Sequence, residues 1–389
     1  MSKAKAKRLG DLVNFKRGYD LPESQRQPGP YPVISSAGIS GYHNEYKVDG
    51  EGVVTGRYGT LGEMYYVDGK YWPHNTALYV TSFKDNIPKY IYYLLSCLGR
   101  IRTSDKSAVP GVNRNELHEM SVPIIEDNIQ QQKITAILSA LDAKIDCNNR
   151  INAELEAMSK TLYDYWFMQF DFPDKNGNPY KSSGGKMVYN STLKREIPEG
   201  WDVNELGKVL STALGGTPST KNEEYWEKAD ITWLSSAEIA NFPVIDSEQC
   251  ITPKGIEDSA AVLLPRGSVV VSIVRYIRPS ILGINAATNQ SVVGIRENAK
   301  FKKSFVYPFL CGEVPRLMGL RTGAQQPHIN KGTIDDTRMI IPSEKTLESY
   351  YKIAEPIFAG IMTRAMENQC LIQLRDWLLP MLMNGQVTV

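Results

Sequence analysis

The sequence predicts an α+β fold built as a tandem duplication: two mainly β globular units, each followed by a long helix. Three observations carry this. From Asn128 to Phe170 the apolar residues Ile137, Leu141, Ile151, Leu155, Met158, Leu162 and Tyr165 fall on steps of 3 and 4, with Lys144 and Asn148 at the intervening seam positions. That spacing suits a helix lying along another helix. Such a stretch, of about forty residues, makes a rod of roughly 60 Å. A second stretch of the same kind, 344–385, carries Leu347, Ala354, Ile357, Ile361, Ala365, Ile372, Leu379 and Leu382 along its seam. The two align without a gap: Pro123, Lys133, Ile134, Leu138, Asn149 and Leu155 fall against Pro342, Lys352, Ile353, Ile357, Asn368 and Leu374.

The third observation is that the segments preceding the helices repeat in the same order. Leu9-Gly10-Asp11-Leu12 answers Leu206-Gly207-Lys208-Val209, and Tyr31 to Ser36 answers Ile231 to Ser236. Val53-Val54-Thr55 with Arg57-Tyr58 matches Val270-Val271-Ser272 with Arg275-Tyr276. His74-Asn75-Thr76 matches Asn289-Gln290-Ser291, and the run ending Val112-Asn113 matches the run ending Ile329-Asn330. The boundaries read from this are a first unit over 1–126, a central helix over 127–172, a linker over 173–196, a second unit over 197–343 and a C-terminal helix over 344–389.

Within the first unit, Tyr31–Ser36, Gly52–Thr55, Glu63–Val67 and Ala77–Thr81 read as short strands between Gly, Pro and Asn turns. Pro88–Leu98 reads as a helix, since Ile91, Leu94, Leu95 and Leu98 recur at helical spacing. In the second unit Ile231 opens a strand and Val269–Val274 is the expected core strand. Asp174–Asn190, rich in Gly, Asn, Ser and Lys, reads as a linker or surface loop.

Composition narrows the function. The chain has 389 residues, enough for two or three domains. No run approaches the roughly eighteen apolar residues of a membrane span. Met1–Arg8 is Lys-rich and lacks the apolar core of a secretory signal, so a cytoplasmic protein with a solvated N-terminal tail is expected. Five scattered cysteines without C-x-x-C spacing argue for buried free thiols rather than metal ligands or disulfides. A net charge of +1 argues against a polycation that coats nucleic acid, but allows a selective reader whose basic residues gather in a few loops.

Those loops lie between the β-runs. Thr55-Gly56-Arg57-Tyr58-Gly59-Thr60-Leu61-Gly62 lacks the Gly-Lys-Ser/Thr ending of a phosphate loop; its glycines suit a hairpin with Arg57 and Tyr58 at the tip. Arg57 there can donate a bidentate pair to guanine or phosphate. In the second unit Gly215-Gly216-Thr217-Pro218-Ser219 offers hydroxyls, while Arg275, Tyr276 and Arg278, then Asn289 and Gln290, then Gln325, Gln326 and His328 are contact candidates. Asn and Gln suit adenine edges. Lys16, Arg17, Tyr19, Ser36, His74, Asn75, Asn113 and Arg114 in the first unit, and Ser236 in the second, complete the DNA-binding set. The aromatic run Tyr163, Tyr165, Trp166 and Phe167 is either core or a docking surface; with Trp377 it forms the partner-binding set.

Neither a methyltransferase Asn-Pro-Pro-Tyr-type motif nor a Gly-rich methyl-donor loop nor a Walker sequence is present, and the four histidines form no catalytic constellation. No catalytic or metal-binding residues are expected.

The duplicated plan, Gly215-Gly216-Thr217-Pro218-Ser219, Gln326-Pro327-His328-Ile329, Leu162-Tyr163-Asp164-Tyr165-Trp166-Phe167 and the terminal run Leu374 to Gly385 resemble the DNA-specificity (S) subunit of type I restriction-modification systems. The resemblance implies two target recognition domains, two long helices packed antiparallel as a coiled coil, and a pseudo-twofold arrangement. It implies a noncatalytic subunit that binds double-stranded DNA, two methyltransferase (M) subunits and restriction (R) subunits, with no membrane involvement. It would direct adenine methylation or cleavage at a bipartite asymmetric target. No cofactor is expected on this chain; S-adenosylmethionine, Mg and ATP would belong to the partners. In the first domain Arg17-Gly18-Tyr19-Asp20 stands where the second has its Gly-Gly-Thr-Pro loop. The alternative from another class is a coiled-coil scaffold with peptide-binding globular domains; a third, an autonomous hydrolase or transferase, requires turnover by the isolated chain.

Overall fold

The computed structural model describes residues 4–57, 63–98 and 112–389. It divides into two compact units, Met1–Ile145 with Cys370–Val389, and Asp146–Gln369. In the first, Asn14–Arg17, Ala77–Ser82, Gly52–Gly56 and Met64–Val67 form a four-stranded sheet in that order, and Gly38–His43, Tyr31–Ser35 and Trp72–Pro73 form a three-stranded one. In the second, Ser211–Leu214, Val292–Arg296, Val269–Ser272 and Arg278–Ile281 repeat the four-stranded order; Gln249–Ile251, Ile231–Leu234 and Ala287–Thr288 repeat the three-stranded one. In both small sheets the last pair is parallel. The expected strands and the helix Pro88–Cys97 are present close to their sequence bounds.

Alternation explains why these runs become strands. Val53 and Val54 are fully buried on opposite faces, one in a core with Phe15, Leu78 and Leu94, the other in a core with Ile34, Tyr71 and Tyr79. Val269 and Val271 face a large core with Phe305 and Tyr350, whereas Val270 faces Leu234, Leu264 and Leu282. Each four-stranded sheet is thus covered on both faces, which selects runs of β-branched residues rather than a polar alternation.

The long helices span Asn128–Tyr163 and Glu344–Met383. In each unit they run antiparallel. In the first, Lys133 Nζ donates to Val389 O, and Arg375 Nη1 lies 3.1 Å from Asp142 Oδ1. In the second, Asn148 Nδ2 donates to Asn368 Oδ1 at 2.9 Å and Asn152 Nδ2 to Ile361 O at 3.2 Å.

The seam differs from the one read from apolar spacing. Met158 and Tyr165 are 56% and 38% exposed, while Gln131, Ile134, Leu138, Asn148, Asn152, Ser159 and Tyr163 are buried. Asn148 lies on the seam as the spacing expected, and Asn152 joins it there as a polar residue that an apolar pattern passes over. Gln131 is buried against the globular body, where it bonds Asn86, Ile87 and Ile125. The gapless alignment of the helices is also about one turn out of register. Lys5–Arg8 pairs with Ser121–Ile124 as Asp202–Glu205 pairs with Arg338–Ile341, so Pro123 answers Ile340 and not Pro342. At the helix starts Asp127 Oδ1 accepts from Ile129 N, and Ser343 Oγ accepts from Thr346 N. Buried Ile134 therefore answers buried Tyr350, whereas Ile353 is 47% exposed. A slip of three residues keeps an apolar stripe on nearly the same helix face, which is why sequence pattern did not resolve it.

The aromatic run at the end of the central helix enters a core. Tyr163, Trp166 and Phe167 are buried against Phe305 and Tyr350 in the second unit, which removes these three from any docking surface; Tyr165 and Trp377 remain exposed. At the end of the other helix, Leu382 and Met383 are buried in the first unit's core. Residues 173–196 fold as surface structure: Phe172 stacks on Tyr180 at 4.7 Å, and Met187–Asn190 pairs with Arg195–Pro198. All five cysteines are free, but Cys370 is exposed and the others are only half-buried. Among the described residues no helix is long and apolar enough to cross a membrane.

Candidate nucleic-acid interface

The same backbone frame holds the candidate loops in both units. In the first, Gly18 N donates to Ala77 O (3.1 Å), Tyr19 N to Pro73 O (2.8 Å), His74 N to Ile34 O (2.8 Å), Arg57 N to Thr76 O (2.9 Å) and Val112 N to Arg57 O (3.0 Å). In the second, Gly215 N donates to Val292 O (3.0 Å), Gly216 N to Thr288 O (2.8 Å), Asn289 N to Leu234 O (2.9 Å), Ile273 N to Ser291 O (2.9 Å) and Ile329 N to Ile273 O (3.0 Å). Loops distant in sequence converge because each closes on the 74–76 or 289–291 turn. A Cβ at Gly18 would fall 2.2 Å from His74 O, and one at Gly215 2.2 Å from Asn289 O, so this close approach requires glycine at both.

These bonds correct one correspondence. Arg57 occupies the position of Ile273, so it is not the counterpart of Arg275. The valine-rich strands match equally well one residue out of step, which leaves hydrophobicity paired and sets the two arginines two residues apart in the frame. Tyr58 lies outside the described residues, as does most of the glycine-rich loop.

In the first unit Lys16, Arg17, Tyr19, Ser36, Arg57, His74 and Asn75 are brought together around this turn. Lys16 Nζ sits 5.3 Å from the Tyr19 ring centre, and the Tyr19 and Tyr79 hydroxyls are 3.1 Å apart. Arg17 Nε donates to Asn75 O at 3.2 Å, Asn75 Nδ2 donates to Asp20 Oδ1, and Ser36 N donates to Thr76 Oγ1 at 3.3 Å. Burial, aided by the Arg26 guanidinium, pushes the His74 imidazole below its usual range. Asn113 and Arg114 belong to a neighbouring short helix. The Asn113 amide caps it, accepting from Asn115 N at 2.9 Å and donating to Glu116, so this side chain is committed to structure; Arg114 is exposed. Asn330 caps the corresponding helix in the second unit.

In the second unit Thr217 Oγ1 donates to Gln290 Oε1 at 2.5 Å, and Asn289 Oδ1 accepts from Ser291 N at 3.0 Å. Arg275 adopts a left-handed φ of 62°, held because its N–H donates to Pro327 O at 2.7 Å and its carbonyl accepts from Arg321. Tyr276, 60% exposed, carries the Arg278 guanidinium 5.0 Å from its ring centre. His328 pairs by its backbone with Thr322, and its ring lies against Gln326 O at 3.1 Å; Gln325 and Gln326 are exposed. Ser219 is exposed beside Trp226, whose indole donates to its carbonyl; Ser236 is half-buried. Thr217, Arg275, Asn289, Gln290 and His328 thus share one frame, with Tyr276 and Arg278 on the hairpin beyond it.

Sequence reasoning missed Asp20, Arg26 and Arg321, which tie or support candidate residues. Asp20 carried a usable signal: it stands where the repeat has Thr217. The exposed groups include guanidinium, amide, hydroxyl and imidazole donors, the types that meet phosphates and base edges. Among the described residues no group of three or more His, Cys, Asp or Glu is placed to hold a metal ion.

The family model described as the type I restriction modification DNA specificity domain matches residues 1–157 and 198–369, one copy over most of each repeat. The specificity subunit of the type I restriction enzyme MjaIX from Methanocaldococcus jannaschii is 26% identical over 322 residues, spanning 79% of this chain and 72% of that protein. The HindI specificity subunit of Haemophilus influenzae is 23% identical over 359 residues, spanning 77% and 78%. The S subunit of a type I restriction-modification system from M. genitalium superposes with a TM-score of 0.60 at 14% identity, covering 97% of this chain and 96% of that one, which shows the shared fold. With two matched domain copies on one duplicated frame, the chain belongs to the family of type I restriction-modification DNA specificity proteins, and its task is recognition of a DNA sequence.

Proposed function

We propose that each unit reads one half of a bipartite, asymmetric DNA target, and that the chain directs partner methyltransferase (M) and restriction (R) subunits to it without chemistry of its own. The observation that supports this reading is the pair of loop clusters: one backbone frame, twice, with different side chains on it. A shared frame gives two comparable modes of approach to a duplex, and different side chains give different half-sites. Lys16, Arg17 and Arg57 in the first unit, and Arg275 and Arg278 in the second, supply phosphate and guanine contacts; Asn75, Asn289 and Gln290 supply amide contacts to base edges.

The long helices would set the separation of the half-sites, and exposed Tyr165 and Trp377 remain as partner-contact candidates. In this reading S-adenosylmethionine, Mg and ATP are bound by the partners, and the complex works in the cytoplasm. The test is selection from a random duplex pool by the full chain assembled with its methyltransferase partners, read by sequencing. A split motif with unlike halves supports the proposal; enrichment of one continuous motif, or of none, overturns it.

A further inference from the structure

The two clusters differ at one shared position. Asn75 and Gln290 occupy the same place in the repeat, the middle of the 74–76 and 289–291 turns, and Asp20 and Thr217 occupy the same place in the opposing loop. Each amide is bonded across this gap, but through opposite ends: Asn75 offers Nδ2 to Asp20 Oδ1, whereas Gln290 receives the Thr217 hydroxyl on Oε1.

We propose, on the reading that these loops contact DNA, that Asp20 and Thr217 are positioning residues that preset opposite hydrogen-bond polarity at this shared position. An ionised carboxylate has no proton to donate, so the Asn75 amide meets Asp20 through its NH2 and presents its carbonyl. The Thr217 hydroxyl donates to the Gln290 carbonyl, so Gln290 presents its NH2. In the major groove the two states select different base edges. A carbonyl acceptor matches the exocyclic amino groups of adenine and cytosine; an amide donor matches the keto oxygens of guanine and thymine. On the strand each unit contacts, the first unit's half-site therefore carries a position restricted to amino bases and the second unit's a position restricted to keto bases, the paired strand carrying the complementary class.

The test uses the full chain assembled with its methyltransferase partners and the random duplex pool. Wild type should enrich a split motif in which each half has one two-base position, adenine or cytosine on one strand and hence thymine or guanine on the other. Gln290→Glu, nearly isosteric in an exposed loop, presents only acceptors and should convert the keto-only position to amino bases while the other half stays unchanged. Thr217→Val removes the hydroxyl, frees the amide to turn, and should collapse the preference at that position from about tenfold to near parity. A purely structural role for Thr217 would change affinity without changing which base is accepted. If wild type enriches no split motif, the two-half-site reading fails before the variants are reached. If it does, and neither variant changes base identity at a single position of one half-site, the polarity proposal is overturned. Loss of enrichment by both variants overturns it as well, because Thr217→Val adds no charge and leaves the amide in place.

Discussion

Replacing Asn148 by alanine removes the centre of the polar contact between the two long helices. Asn148 is fully buried; its Nδ2 donates to Asn368 Oδ1 at 2.9 Å and to Glu367 Oε2 at 2.8 Å, and Asn368 Nδ2 returns a bond to Asn149 Oδ1 at 2.8 Å. A neutral hydrogen bond contributes about 1 kcal/mol net, and one to a carboxylate about 1.5–3 kcal/mol. Alanine's better helix propensity offsets about 0.6 kcal/mol. Asn148→Ala should therefore destabilise the second unit by about 2–3 kcal/mol. Asn148→Leu combined with Asn368→Leu should cost less than the single alanine, because buried polar pairs are often replaced by well-packed apolar ones at no loss. The wild-type seam already carries a penalty: among the described residues nothing is hydrogen-bonded to the buried Asn148 Oδ1 or Asn152 Oδ1. What the asparagines supply is register, as a buried amide does in other helix pairs. The assay is denaturant unfolding followed by tryptophan fluorescence, since Trp166, Trp201, Trp226 and Trp233 all lie in the second unit. A cost below about 1 kcal/mol for the alanine variant, or a double-leucine variant less stable than it, would refute this account of the seam.

Arg275→Gly should separate stability from recognition. Glycine relieves the left-handed φ of 62° and should stabilise the second unit by about 1 kcal/mol, while the lost guanidinium weakens reading of one half-site only; thermal unfolding and duplex selection measure the two effects. Gly215→Ala forces a Cβ to within 2.2 Å of Asn289 O and should disturb the 289–291 turn, costing about 1–3 kcal/mol and blurring that unit's half-site alone, as selection against the duplex pool would show. The His74 pKa is lowered from its ordinary value of 6.5, so its protonation penalty is absent above that pH and develops as pH falls below it. Stability of the first unit should therefore decline on acidification from about pH 6.5 downward, a slope that His74→Gln reduces without abolishing, because burial lowers the His118 imidazole of the same unit as well; an NMR midpoint for His74 at or above 6.5 would contradict the assignment.

The duplication and the β bodies were legible because they rest on what one sequence displays well. Valine-rich runs such as Val269–Ser272, buried along their whole length, announce themselves, and a repeated order of turns and strands survives divergence. What stayed hidden depended on tertiary context. Asn152 occupies the helix seam beside Asn148 although its side chain is polar, and hydrophobic periodicity, which does place Asn148 there, passes Asn152 over. Slips of one residue in a valine strand and three in a helix each preserve the apolar pattern, and only hydrogen-bond partners distinguish the registers. The aromatic run read equally as core or as docking surface until Phe305 and Tyr350 were found against it. The interface loops were located in sequence by composition, but which of their amides face outward, and by which end, depends on partners such as Asp20.

That division between frame and side chain explains how such a protein changes its target without changing its fold. The bonds that close the loops at 18–19, 57, 74–76 and 112, and their counterparts at 215–216, 273, 289–291 and 329, are made by backbone groups. Side chains at 20, 75, 217 and 290 are not needed for the frame, so exchanging them should cost stability only about 0.5 kcal/mol, as at ordinary exposed sites. Each bond they direct at a base edge is worth more than that in discrimination, about 1 kcal/mol or above. Recognition can therefore vary over a range of side chains that folding scarcely penalises, while glycine at 18 and 215, where a Cβ would strike the facing carbonyl, stays fixed by the frame.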